Sequence, residues 1–348
     1  MDKNGILIRK VKKLVVGILV TTVLFSCSSN KRVERKNMTV VFYNVENLFD
    51  TENEPGKSDG EFTPEGEKKW DQQRYGKKLA DIAKVLTSVN ETELPEIIGL
   101  CEVENRSVLE DLIETGKLAS REYKIVHHES PDFRGIDCAL LYRPDEFKVL
   151  HHQPIKISFK NEPDYKTRDI LYVKGRTVNR EKLHIFVNHW PSRIGGTEKS
   201  EPNRVQVATI LKEKIDSISQ TSSNAKIIVM GDMNDEPDNK SLQQILGAKK
   251  PAEETAQLRN LMFPADENGE GSYNYRGNWN MLDNLVVSKN LLDEKGFQVT
   301  NKQGYIFQKE WMEYKNRNGG VSPNRTYGGP NYYGGISDHF PVYFKLQR

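Results

Sequence analysis

The sequence predicts an α/β protein with mixed sheets, two of them packed together and flanked by helices. Three observations carry this. Nine short runs rich in Val, Ile, Leu, Phe and Tyr are bounded by Gly, Pro, Asn or Asp. Segments with apolar residues at helical spacing interrupt those runs. From Met38 onward no internal repeat and no long linker divides them.

In chain order the expected strands are Thr39–Tyr43, Glu96–Cys101, Tyr123–His127, Asp137–Tyr142, Ile170–Lys174, Leu183–Asn188, Lys226–Met230, Met281–Val287 and Pro341–Leu346. A first helix is expected where Leu79, Ile82, Ala83 and Leu86 recur on one face. A second, short helix reads as a capping box of Ser107 and Glu110, with Leu109, Leu112 and Ile113 inside and Gly116 as its stop. A third is expected from Asn203 to Ser219, burying Val207, Ala208, Leu211 and Ile215. Leu242, Ile245 and Leu246 before Gly247 suggest a fourth. The Gly-, Asn- and Tyr-rich stretch Lys315–Gly335 has no periodicity and reads as a long loop before the last strand.

Charge and composition narrow the class. The 348 residues hold 51 Lys+Arg against 49 Asp+Glu, with Gly and Pro near average, so collagen-like and low-complexity chains are excluded. Residues 1–26 contain five basic groups (Lys3, Arg9, Lys10, Lys12, Lys13) and one acid, Asp2. Without them the chain has 46 basic and 48 acidic side chains, so net charge gives no argument for a polyanionic partner. The basic stretch precedes an uncharged run, LVVGILVTTVLF, at Leu14–Phe25. Twelve residues at 1.5 Å each fall well short of a bilayer core of ~30 Å. This is the pattern of a secretory signal. Leu24-Phe25-Ser26-Cys27 resembles a bacterial lipobox, which implies lipidation at Cys27. The expected organisation is a signal peptide at 1–26, a lipidated Cys27 and tether to 37, and one domain at 38–348. That domain would sit outside the cytoplasm, attached to the membrane through its lipid alone. Cys101 and Cys138 lie inside apolar runs, where buried free thiols are the default and a disulfide between them stays open.

Polar groups recur at the ends of apolar strands. Val40–Tyr43 ends in Asn44, and Ile97–Cys101 ends in Glu102. Ile185–Val187 ends in Asn188-His189, and Ile227–Gly231 ends in Asp232-Met233-Asn234. Asp283 interrupts Met281–Val287, and Ser337-Asp338-His339 opens the terminal strand. An ionisable group is tolerated at a strand's mouth and not in its buried middle. Side by side, such ends converge into a pocket of carboxylate and amide oxygens. Those donors suit a hard cation, Mg²⁺ first and Mn²⁺ or Ca²⁺ next. Taken singly, Asn44 fits a turn, Asp232 and Asn234 an Asx-turn, and His189 a core histidine.

Together and in this order, the six resemble the endonuclease/exonuclease/phosphatase superfamily. The resemblance runs from Asn44 in FYNVENLF through Glu102 in LCEVEN, His189 in VNHWPSR, Asp232 and Asn234 in GDMND and Asp283 in MLDNLVVS to Asp338-His339 in SDHFPV. It implies a four-layer α/β sandwich and hydrolysis of a phosphate ester by direct attack of water. It implies Glu102 as principal metal ligand, with Asn44 and Asp338 assisting. His339 paired with Asp283 would stand at the reacting phosphate. Asp232 would orient or deprotonate the water, while His189 and Asn234 would donate to non-bridging oxygens. Arg134 and Arg193 are candidate outer phosphate contacts, and also fit ordinary surface arginines. A nuclease acting on DNA or RNA is the first reading, with Trp279, Tyr327, Tyr332 and Tyr333 able to stack on bases. Lys315, Arg317, Arg325, Arg193 and Arg204 would supply a local cationic patch. A phosphatase or phosphodiesterase for a sugar phosphate, inositol phosphate or phospholipid is the alternative. A surface-binding lipoprotein without catalysis is a third, for which a complete Asp283–His339 pair has no use.

Overall fold

A strand buried on both faces needs apolar residues at every position, which explains why so many runs here are continuous and not alternating. The computed structural model describes residues 37–159, 162–293 and 295–348. The predicted signal segment and Cys27 lie outside them. In chain order the strands are β1 (Asn37–Leu48), β2 (Ile97–Val103), β3 (Lys124–His127), β4 (Asp137–Tyr142), β5 (Phe147–Ile155), β6 (Ile170–Thr177), β7 (Lys182–His189), β8 (Lys226–Asp232), β9 (Ala248–Lys249), β10 (Leu258–Asn260), β11 (Tyr273–Tyr275), β12 (Asn278–Asn280), β13 (Asp283–Ser288), β14 (Gln298–Val299), β15 (Tyr305–Ile306), β16 (Glu313–Lys315), β17 (Val321–Pro323), β18 (Tyr327–Gly328), β19 (Asn331–Tyr332) and β20 (Val342–Gln347). The main helices are α1 (Gln72–Val89), α2 (Arg106–Ile113) and α3 (Thr197–Thr221).

One sheet runs β14-β20-β1-β2-β4-β3, with β15 also on β20; the other runs β5-β6-β7-β8-β13-β10-β9. Both are mixed: β1–β2 and β7–β8 are parallel, while β1–β20, β2–β4 and β8–β13 are antiparallel. Residues alternate between faces, so Val40 and Phe42 of β1 join Leu140, Val173, Ile185, Val187, Met230 and Leu285 between the sheets. Val41 and Tyr43 point the other way, onto Leu79, Ile82 and Leu86 of α1 and Leu109 and Leu112 of α2. Phe186, Ile227 and Val229 meet Val207, Leu211 and Ile215 of α3 on the far side. The order is helix, sheet, sheet, helix, the four-layer sandwich expected. The sheets meet closely: a Cβ on Gly99 would lie 2.6 Å from Met230 Sδ, so glycine is needed there.

Several local readings change. The short helix is capped one residue pair earlier than a Ser107–Glu110 box requires: Asn105 is the N-cap and accepts from Val108 N at 3.1 Å. Asn and Ser are equivalent caps, and the extended backbone of Asn105 selects it. α3 begins six residues before Asn203, carrying Pro202 within it. β5 was not expected, because its Lys148–Gln153 stretch is mostly exposed and lacks apolar alternation. Asp283 does not interrupt its strand but opens it, and Ser337–His339 precede β20 without belonging to it. The expected long loop is built instead of two hairpins, β16–β17 and β18–β19. Asn37, placed in the tether by sequence, is the first residue of β1. Cys101 and Cys138 face each other across β2–β4 as buried free thiols.

Candidate active site

Strand mouths from both sheets meet at one edge. β1 and β2 contribute Asn44 and Glu102, β7 and β8 contribute His189 and Asp232, β13 contributes Asp283, and the segment before β20 contributes His339. The register of β8 on β13 sets Asp232 directly opposite Asp283. Parallel pairing of β7 with β8 does the same for His189 and Asp232. The glycine before Asp232 has a steric reason: a Cβ on Gly231 would lie 2.4 Å from the Asn188 carbonyl oxygen.

The backbone is irregular at this edge. Ladders shift register after Asn44 on β1 and at Cys101–Val103 on β2. Glu46, Asn47, Glu102 and Asn234 adopt φ of 49°, 54°, 61° and 49°. Left-handed backbone is uncommon for glutamate, readier for asparagine, and collects at functional sites. Here it turns Glu102 into the cleft, where Oε2 accepts from Asn47 N at 3.0 Å.

A continuous polar network results. Asn44 Nδ2 donates to Asp232 Oδ2 at 3.1 Å and lies 3.4 Å from Glu102 Oε1. His189 Nε2 stands 3.8 Å from Glu102 and 3.7 Å from Asp232. His339 Nδ1 is 2.6 Å from Asp283 Oδ2, while its Nε2 faces Asp232 Oδ2 at 3.8 Å. Ser337 ties this segment to β1 by donating to the Asn44 carbonyl oxygen at 2.7 Å and accepting from His339 N.

Burial and charge divide the protons. Burial disfavours a charged His339, but the Asp283 carboxylate, its hydrogen bond and Asp232 outweigh it and raise the imidazole well above its ordinary value. His189 goes the opposite way, pushed well down by burial and by Arg168, Arg134 and His339. Burial also raises Asp232, against the pull of His339. Glu102 is lowered although burial acts to raise it, because Arg134, His339 and Arg168 favour its charge. The two imidazoles within reach of the same aspartate are thus driven apart, His339 toward its charged form and His189 toward its neutral one.

Other expected residues sit at the margin. Asp338 points to Arg325, 3.4 Å away. Asn234 donates from Nδ2 to the Trp190 carbonyl at 3.0 Å. Arg134 donates to Asn47 Oδ1 at 2.6 Å and lies 3.6 Å from Glu102. Arg193 faces the scaffold, bonding the Asn234 carbonyl at 2.7 Å and Asn239 Oδ1 at 2.9 Å. Arg204 is buried against Asp235 at 2.7 Å and forms no surface patch.

Two residues escaped the sequence reading. Buried Arg168 bonds Asp132 at 3.0 Å and the Trp190 carbonyl at 2.7 Å, and its field acts on both Glu102 and His189. It precedes β6 in Thr167-Arg168-Asp169, a cation at a strand mouth, which a search for carboxylates, amides and imidazoles passes over. Lys78 is buried in α1 and donates to Thr326 Oγ1 at 2.6 Å and to the Ile336 carbonyl. Glu46 lies nearby, accepting from Thr326 N at 2.7 Å; burial raises Glu46 and lowers Lys78. The signal was its position on the apolar stripe of Tyr75, Leu79 and Ile82.

The donor set suits a hard divalent cation. The Asn44 amide lies between two carboxylates, Glu102, whose charged form is favoured, and Asp232, and no thiol intervenes. Asp232, Asp283 and His339 also form a group with ligand atoms within 4.8 Å. There, however, the 2.6 Å bond between Asp283 and His339 already engages Nδ1. That bond marks a proton-holding pair better than a ligand pair.

Comparison with known proteins follows from this geometry. A family model described as "Endonuclease/Exonuclease/phosphatase family" matches residues 39–348. Protein angel of Drosophila melanogaster is 24% identical over 200 residues, covering 56% of this chain and 54% of that protein. The chain thus spans about half the length of the curated relative it matches. A crystal structure of an endonuclease/exonuclease/phosphatase family protein from Bacteroides thetaiotaomicron aligns at TM-score 0.55 and 18% identity, covering 89% of this chain and 97% of that one. The mannosyl-6-phosphatase of Bacteroides thetaiotaomicron aligns at 0.56 and 18%, covering 89% and 100%. At such identities the solved structures speak for the fold.

Proposed function

From the premise that the chain belongs to the endonuclease/exonuclease/phosphatase family, and is therefore a metal-dependent phosphoesterase, we propose that it is a nuclease hydrolysing phosphodiester bonds of DNA or RNA. The observation that carries the catalytic part is the buried Asp283–His339 pair, 2.6 Å apart, facing Asp232. In this reading His339, kept protonated by Asp283, donates from Nε2 to a phosphoryl oxygen. Neutral His189 donates to another. Asp232, raised by burial, takes a proton from the attacking water as its oxygen bonds to phosphorus. The bond to the leaving oxygen then breaks, and that oxygen acquires a proton from solvent or from His339. Asn234 fixes the Asp232 turn, its backbone N–H donating to Asp232 Oδ1 at 2.9 Å. Arg168 and Arg134 hold the anionic side of the site, in place of Arg193. Glu102, with Asn44 and Asp338 directly or through water, would hold a divalent cation, which would supply positive charge against the charge that develops in phosphoryl transfer. Mg²⁺ is the proposed ion, with Mn²⁺ or Ca²⁺ as substitutes.

The test is a metal-supplemented screen of single-stranded and duplex DNA, RNA, bis(p-nitrophenyl) phosphate, phosphomonoesters and phospholipids, with His339→Ala as control. Release of nucleotides by the wild type and not by the control supports the nuclease. A second reading, a phosphatase on a small or lipid substrate, is favoured by the nearly neutral charge beyond residue 26. Phosphate release from monoesters with nucleic acid untouched would establish it instead. We also propose lipid anchoring at Cys27 outside the cytoplasm, on the lipobox-like sequence. Loss of metabolic fatty-acid labelling in Cys27→Ser tests it.

A further inference from the structure

Beside the catalytic edge lies a cleft of about 540 Å³, within the roughly 300–1,000 Å³ that takes a small organic ligand. It is bounded by the β11–β12 hairpin and by the β16–β17 hairpin with Arg325, and it reaches Asp338. It is fixed to the catalytic segment at several points. Tyr273 pairs with His339 in an isolated bridge and lies over its ring, centroids 4.9 Å apart. Trp279 stacks on Phe340 at 5.9 Å, and Arg325 joins the Tyr273 hydroxyl to Asp338.

The cleft's outer residues are of one kind. Tyr275 and Tyr314, one from each hairpin, are 53% and 56% exposed, although such rings usually gain stability by burial. Arg276 lies 5.1 Å from the Tyr275 ring and has no carboxylate partner among the described residues. Asp338 is the single acidic residue of the lining, and Arg325 faces it. Exposed aromatic rings with a guanidinium that no carboxylate among the described residues neutralises, opening directly from the phosphate site, match a flat π-surface attached to a phosphate.

We infer that this cleft binds an unpaired nucleobase on one side of the scissile phosphate, stacked on Tyr275 or Tyr314, with Arg276 on the adjoining phosphate. The inference rests on the nuclease reading and narrows it to single strands or frayed ends. A duplex hides its base faces in its own stack and is gripped through many phosphate contacts, typically 6–10. A chain of 46 basic and 48 acidic side chains beyond residue 26 is poorly supplied for that, whereas stacking needs few charges.

The experiment separates cleft from catalysis by measuring binding in a variant that does not turn over. Titration calorimetry of an oligothymidylate into His339→Ala protein with Mg²⁺ is compared with the same protein carrying Tyr275→Ala and Tyr314→Ala. Both tyrosines are exposed, and unchanged thermal melting checks the fold. The double replacement should weaken binding about tenfold or more, since stacking contributes strongly per base, and duplex of matching length should bind at least as poorly. Trp279 emission should be quenched by the oligonucleotide. An affinity unmoved by removing both rings, or equal affinity for duplex, overturns the inference even where the wild type cleaves nucleic acid. A hexose 6-phosphate that displaces the oligonucleotide at lower concentration than a mononucleotide also overturns it. Absence of nucleic-acid cleavage by the wild type, with binding still dependent on the rings, sinks the nuclease reading and leaves the cleft as a nucleobase site.

Discussion

Asp283→Asn is the most informative single change, because it removes a charge and almost no volume. The Asp283 carboxylate is 1% exposed and bonded to His339 Nδ1 at 2.6 Å. Asn keeps an oxygen able to accept from Nδ1, so the ring's orientation can persist while its charge loses support. At an effective dielectric of about 20, opposite charges about 4 Å apart attract by roughly 4 kcal/mol. Each 1.36 kcal/mol is tenfold in rate, so kcat should fall about 10²–10³-fold, with a smaller effect on KM. Stability should change separately. Asp283 Oδ1 has no partner in its buried position, and an amide turned there has a donor without an acceptor, costing about 1–3 kcal/mol. Initial rates on bis(p-nitrophenyl) phosphate with saturating Mg²⁺, alongside thermal melts, read the two effects apart. A well-folded variant with kcat within about threefold of wild type would refute the role given to this pair.

Other outcomes follow from the same structure. Chelation with EDTA should abolish hydrolysis, and Mg²⁺ or Mn²⁺ should restore it; activity indifferent to EDTA contradicts the use of Glu102 as a metal ligand. Lys78→Met removes the cation facing buried Glu46 and its bonds to Thr326 Oγ1 and the Ile336 carbonyl, so urea denaturation should show a loss of about 3–5 kcal/mol. Adding Glu46→Gln should recover part of that, and equal losses in single and double variants would deny the coupling. Gly231→Ala forces a Cβ against the Asn188 carbonyl and should destabilise by about 1–3 kcal/mol, seen as a lower melting temperature. His184, bonded to the Tyr172 hydroxyl at 2.8 Å, is lowered by burial and by Lys174, Lys182 and Lys214 from 6.5 to about 4. The unfolded chain therefore binds this proton first: stability is full above pH 6.5 and falls by about 1–3 kcal/mol as pH drops toward 4. Melts of His184→Gln across that range should be flatter, and an unchanged slope would assign the loss to other groups.

Much of the site could be read from sequence because the constraint is one-dimensional. A buried strand admits a charge only at its end, and Asn44, Glu102, His189 and Asp232 each follow an apolar run. The depth of the two sheets was legible for the same reason. Partners were not. Nothing in the local pattern distinguishes Arg193, which braces the Asp232 turn, from Arg134, which reaches Glu102. Arg168 looked like one more arginine until β6 and β7 brought it to Trp190. β5 escaped because an exposed edge strand has no buried face to impose a period. The hairpins of the predicted loop escaped because their two- and three-residue ladders are fixed by contacts with distant segments, such as Thr326 with Glu46.

The strand order has a consequence for how the enzyme comes into being. β5 to β10 and β13 form their sheet from one stretch of chain, broken only by the separate β11–β12 hairpin, whereas the other sheet begins with β1–β4 and is finished by β14, β15 and β20. β1 pairs with β20 along Asn37–Phe42 and Val342–Gln347, the first and last strands described. During synthesis, β1 therefore waits with an open edge while some three hundred residues are made, an exposure that invites mispairing. His339 lies just before the strand that closes this gap, so nearly the whole chain must be present before the proton-holding pair exists. A ribosome releasing truncated chains would yield no weakly active form, only inert protein with an unsatisfied sheet.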